Sequence, residues 1–113
     1  MPGIASTPLA AAVAVLLLAL ACGQEPAGQK VSLDVKVTGA KMIPDHLTAH
    51  QNDEITLSIT ADRAKEIHLH GYDYKFQLKP GEKQTKTFKA DKTGHFVLEI
   101  EDTGTGLGSL DIS

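Results

Sequence analysis

The sequence has one cysteine, Cys22, no tryptophan, and only two tyrosines and three phenylalanines in 113 residues. A single cysteine excludes an internal disulfide and any zinc ribbon built on several cysteines. With so few aromatics, leucine and the β-branched residues must supply most of the packing in what is one small domain at most. The net charge is −3 and no stripe of Lys and Arg is present, so the electrostatic footprint of a nucleic-acid-binding protein is missing. Sustained helical periodicity is also missing, which argues against an all-helical chain.

Charge is absent from the first part of the chain. The first charged residue is Glu25, and Leu9 to Ala21 contains only Ala, Val and Leu. A helix over that run spans about 20 Å, short of the ~30 Å hydrocarbon core of a bilayer. The run ends Ala19-Leu20-Ala21-Cys22-Gly23, small residues directly before the cysteine. This pattern reads as the apolar core and cleavage site of a secretory signal. It resembles a bacterial lipoprotein signal, whose cysteine becomes the lipidated first residue of the mature chain. Two features depart from that pattern: Ala19 stands where Leu is usual, and no Lys or Arg lies near Met1. An ordinary cleaved signal and an uncleaved anchor are the alternatives. The expected organisation is a signal peptide over 1–21, a flexible tether over 22–30 starting at lipidated Cys22, and a folded domain over 31–113. The protein is then exported and held at a membrane of the bacterial cell envelope, with the lipid bilayer as its first partner.

The remainder reads as strands. Val31, Leu33, Val35 and Val37 alternate with Ser32, Asp34 and Lys36, and Ile55, Leu57 and Ile59 alternate with Thr56 and Ser58. Period-two alternation marks a strand with one buried face. Ile67 and Leu69 continue the pattern, Gly71 breaks it, and Tyr74, Phe76 and Leu78 resume on the opposite parity. Lys79-Pro80-Gly81-Glu82 and Asp91-Lys92-Thr93-Gly94 are turn signals around a polar strand ending at Phe88. Phe96, Leu98 and Ile100 form another alternating set, and Leu110 with Ile112 closes the chain. The segment Met42 to His50 is expected to add a strand interrupted by Pro44. Ala61 to Glu66 has room for one helical turn, and the glycine-rich Thr103 to Gly108 reads as a turn. Seven or eight short strands at this spacing point to an all-β sandwich.

Histidines carry the chemical signal. His68 and His70 are two apart in the strand Glu66-Ile67-His68-Leu69-His70, so both imidazoles share a face with Cα atoms about 6.5–7 Å apart. That separation lets both rings reach one ion with bonds of about 2 Å. Asp73 follows in a turn able to add an oxygen ligand, and Glu99, Glu101 and Asp102 cluster at the end of a later strand. The competing reading places His68 and His70 as ordinary outward residues, with Ile67 and Leu69 facing the core. His46 and His50 beside Pro44, and His95 at a turn-to-strand junction, read as solvated residues. No nucleophile elbow or Ser/His/Asp order is present, so the residues give no support to an enzyme.

The order of elements resembles the cupredoxin family, single-domain Greek-key sandwiches that commonly carry copper. The likeness rests on GAKMIPDHLTAHQNDEITLSIT, EIHLHGYDY, LKPGEKQTKTFKAD and TGHFVLEIE. It implies a Greek-key β-sandwich of the cupredoxin type. His70-Gly71-Tyr72 is similar to the step that supplies the first copper ligand in copper-bearing relatives, which assigns that role first to His70 and then to His68. A blue-copper site also needs a Cys thiolate, a second His and an axial Met. The resemblance places these at Ile100, near Thr103 and near Leu107, and none of the three is a ligand. Some related exported proteins carry a His near Glu101, where this chain has a carboxylate.

The expected metal set is therefore His68 and His70 with Glu101 or Asp73, holding copper, or zinc or no metal as alternatives. The expected function is a membrane-anchored, extracytoplasmic cupredoxin-like protein that binds copper or another divalent metal for handling or buffering. A metal-free interaction module of a membrane complex is the alternative, and electron transfer the third reading.

Overall fold

The computed structural model describes residues 28–113. The expected signal peptide, Cys22 and the tether up to residue 27 lie outside the described residues. Alternation of side chains sets the architecture. Nine strands run in chain order as β1 (Lys30–Thr38), β2 (Lys41–Ile43), β3 (His46–Ala49), β4 (Glu54–Ala61), β5 (Lys65–Leu69), β6 (Tyr74–Leu78), β7 (Gln84–Lys89), β8 (Gly94–Ile100) and β9 (Thr105–Ile112). They form one sheet in the order β2-β1-β4-β7 and a second in the order β3-β9-β8-β5-β6. Val35 and Val37 of β1, with Ile55, Leu57 and Ile59 of β4, face Ile67, Leu69, Phe76, Leu98 and Leu110 of the second sheet in one core. Each such side chain, fully withdrawn from water, contributes about 1.5–3 kcal/mol. The structure is the all-β sandwich that the alternation predicts.

Three local expectations change. The segment Met42 to His50 is two strands in different sheets, β2 ending at Ile43 before Pro44 and β3 starting at His46. That division raises the strand number to nine and places His46 inside β3, paired with β9, rather than in irregular chain. Asp62 to Ala64 is a bend rather than a helical turn, and β5 starts directly at Lys65. The glycine-rich segment is strand from Thr105 onward, with a bulge where Leu98 pairs with Gly108 and Glu99 with Gly106. Leu107, the extra residue, turns into the core at 8% exposure. Gly108 is required by contact: a Cβ there would lie 2.3 Å from the Asp45 carbonyl oxygen.

The start of β1 is tied down by Asp53. Its carboxylate accepts the Gln29 amide at 2.9 Å and the His50 amide at 2.8 Å. Those two backbone hydrogen bonds hold its carboxyl below the usual carboxylate value. Gln29 and Lys30, at the end of the expected tether, are thus held on the domain.

Candidate metal centre

Parity on β5 decides where the histidines point. Ile67 and Leu69 are fully buried, so Glu66 and His68 face outward on the second sheet. His70 lies one residue beyond β5, yet its amide donates to the Val97 carbonyl at 2.9 Å and keeps it in line with the strand. On the neighbouring β8, Leu98 is inward and Glu99 outward, and His68 sits directly opposite Glu99. Cross-strand neighbours on one face are the pairs that interact in a sheet.

The resulting cluster holds three donor atoms within 4.8 Å of one another, one each from His68, His70 and Glu99. His70 Nε2 lies 2.5 Å from Glu99 Oε1, and the two imidazole centroids are 4.5 Å apart at 51°. His68 is the more enclosed ring, with its side chain 15% exposed against 47% for His70. Its two nitrogens face different carboxylates: Nδ1 is 3.4 Å from Glu101 Oε2, and Nε2 is 3.6 Å from Asp73 Oδ1. Glu66 shares the face and pairs with Lys75 at 3.9 Å. Carboxylates outnumber cations here, so the local field attracts a cation.

The turn after His70 is clamped. Gly71 at φ +87° and Asp73 at φ 57° reverse the chain into β6. A Cβ on Gly71 would lie 2.4 Å from the Phe96 ring, so the backbone passes against that ring as only glycine can. The Tyr72 hydroxyl donates to the Lys92 carbonyl at 2.8 Å and accepts the Lys92 amide at 3.0 Å. Its ring packs on Phe96 and Phe88, and this burial raises the phenol above its usual value. The loop carrying Asp73 is therefore fixed beside His68.

His68, His70, Asp73 and Glu101 are brought to one patch on the outer face. Glu99 joins them and makes the shortest contact with His70. Sequence reasoning noted Glu99 only within a carboxylate cluster. Its outward parity was readable, but its register against His68 depends on long-range pairing. The positions where the family resemblance places blue-copper ligands hold other chemistry. Ile100 packs on the core, Leu107 is buried, and the Thr103 hydroxyl bonds that of Thr105 at 2.7 Å.

The donor set fits a borderline divalent ion. Two imidazoles and a carboxylate suit Cu(II) or Zn(II), whose ligands sit about 2 Å from the metal. Met42, the methionine among the described residues, is 2% exposed in the core and offers no thioether to this patch.

Comparison with solved structures agrees with this architecture. A copper binding protein in its apo form aligns with a TM-score of 0.61 at 14% identity, over 80% of this chain and 93% of the other. The metal-binding domain of the Cu(I)-exporting P-type ATPase of Streptococcus pneumoniae aligns with a TM-score of 0.63 at 11% identity, over 80% of this chain and 99% of the domain. A laccase from Botrytis aclada aligns with a TM-score of 0.61 at 17% identity, but the match spans only 23% of the laccase. At these identities the likeness is one of fold. Comparison with curated proteins gives no match. The profile of the cupredoxin-like domain matches residues 9–103, the greater part of the sequence. On that match and on the two-sheet topology, this chain belongs to the cupredoxin-like domain family.

Proposed function

We propose that this protein is an exported, lipid-anchored cupredoxin-like domain that binds a divalent ion, Cu(II) before Zn(II), for handling or buffering. The observation that carries the reading is the convergence of His68, His70 and Glu99 donors within 4.8 Å on one sheet face. Neighbours of the same fold include a copper binding protein and the metal-binding domain of a Cu(I) exporter, which favours copper as the cargo. The set differs from a soft Cu(I) site, since nitrogen and oxygen donors without sulfur favour the oxidised ion. His68, His70 and Glu99 would hold the ion. Asp73 and Glu101 face the two nitrogens of His68, so whichever nitrogen does not bind metal would direct its N–H toward a carboxylate. Such outer partners fix ring orientation. The membrane anchor rests on the apolar run Leu9 to Ala21 ending at Cys22.

A metal-free accessory module of a membrane complex is the second reading. It is favoured by one fact: among the described residues every buried side-chain polar atom already has a partner without an ion. Among the described residues, electron transfer finds no thiolate and no thioether at this patch to tune a copper couple.

Titration of the full chain in detergent with Cu(II) and Zn(II), beside a His68→Ala, His70→Ala double variant, separates these readings. The expected result is binding by the wild type with a weak visible Cu(II) band and a tetragonal resonance signature, and a clear loss of that spectrum's intensity in the variant. Equal spectra in both proteins refute the site. No binding by either at micromolar metal leaves the accessory module as the better reading.

A further inference from the structure

A second histidine cluster lies on the same outer face, away from the first. β3, β9 and β8 are neighbours in the second sheet, and their outward side chains include His46, Ser109, Asp111 and His95. Asp111 sits between two imidazoles. Its Oδ2 is 3.2 Å from His46 Nε2, and its Oδ1 is hydrogen-bonded to His95 Nδ1. The other nitrogen of His46 lies 3.2 Å from the Ser109 hydroxyl, so that ring is held from both sides.

We propose that His46, His95 and Asp111 form a second divalent-cation site, so that the outer face of this sheet takes two ions. Ligands sharing one ion with bonds of about 2 Å stand about 3 Å apart, which is the His46–Asp111 spacing. His46 already has the arrangement of a metal-binding imidazole, one nitrogen toward the site and the other on a fixed polar partner. His95 approaches the opposite oxygen of Asp111. Its side chain is 65% exposed, so the proposed site asks it to change rotamer to join the same ion. Two imidazoles and one carboxylate again select Zn(II) or Cu(II).

As simple surface pairing the cluster contributes little, because exposed histidine–carboxylate contacts are worth about 0–1 kcal/mol. The three strands are already joined by their backbone ladders. The two clusters also share ground. A shallow depression of about 500 Å³ is lined by His70 and Glu99 of the first cluster and His95 of the second, with Gly71, Phe96 and Val97. Along β8, His95 and Glu99 are four residues apart, about 13 Å.

The test is Zn(II) binding to the full chain in detergent by equilibrium dialysis with metal analysis, repeated on variants. Two equivalents are expected for the wild type and one for Asp111→Asn. One is also expected for the His68→Ala, His70→Ala variant, and none for the combination. Zinc should also move the ring resonances of His46 and His95 in the His68→Ala, His70→Ala protein. A single wild-type equivalent that vanishes in that double variant overturns the second site. So does an Asp111→Asn protein that binds as much zinc as the wild type. If Asp111→Asn loses its β-sheet circular dichroism, His95→Gln at a well-exposed position is read in its place, with the same two outcomes. Failure of the first site alone shows as one equivalent in the wild type that is lost in Asp111→Asn.

Discussion

Replacing Gly71 with alanine tests how the chain is turned beside His70. The backbone there has φ +87°, and the added Cβ would lie 2.4 Å and 2.7 Å from two carbons of the Phe96 ring. A left-handed conformation costs an L-residue about 1–2 kcal/mol. Displacing a packed ring adds about 1–3 kcal/mol. The sum is about 2–5 kcal/mol. For a domain of this size each kcal/mol lowers the melting temperature by about 4–8 °C, so a drop of at least about 8 °C is expected. The two contributions separate in a double-mutant cycle. In a Phe96→Ala background the ring is gone and only the backbone strain remains, so Gly71→Ala should cost about 1–2 kcal/mol there. The measurement is urea denaturation of all four proteins, followed by circular dichroism. A chelator is present throughout, so that metal binding does not add to apparent stability. An equal cost for Gly71→Ala in both backgrounds would refute the close approach to Phe96 as the reason for glycine.

Other expected outcomes follow from single residues. Glu101→Gln should weaken Cu(II) or Zn(II) at the first site about 10–100-fold, as loss of an outer partner does, and Glu99→Gln should weaken it more; competition with a chromophoric chelator measures both. Asp53 has a depressed carboxyl, so its stabilisation is complete above the ordinary value of 3.8 and is lost as pH falls through its lower folded value. Asp53→Asn should therefore lower stability at neutral pH and flatten the acid limb of the stability curve, and parallel pH dependences for the two proteins would count against this. Cys22→Ser should move the full chain from the membrane fraction to the soluble fraction or leave an uncleaved precursor; unchanged fractionation and mass reject lipidation.

Much of the sandwich was legible because side-chain parity is local. Alternation in β1, β4, β5, β6 and β8 assigns inward and outward residues without knowledge of their partners. The same parity places His68 and His70 on the outside with Ile67 and Leu69 inside, which is why the site is solvent-facing. What parity cannot supply is register. Glu99 and Glu101 share parity, and only the pairing of β5 with β8 sets Glu99 opposite His68 while Glu101 falls just past the strand. Pro44 marks an interruption in the sequence, but the passage of the chain there from one sheet to the other depends on which edges are open. His46 and His95 are far apart in sequence and both reach Asp111 only because β9 passes between their strands.

The parallel pairing of β1 with β4 has a mechanical consequence. Its ladder runs in unbroken register from Lys30 opposite Glu54 to Val37 opposite Ala61. A force applied at Gln29 along the axis of β1 meets this ladder lengthwise. It loads all of these rungs in shear together with the Asp53 clasp on Gln29, rather than peeling them one at a time. Shear spreads the force across the whole ladder, so under the proposed Cys22 anchor the sheet resists best a pull directed along β1.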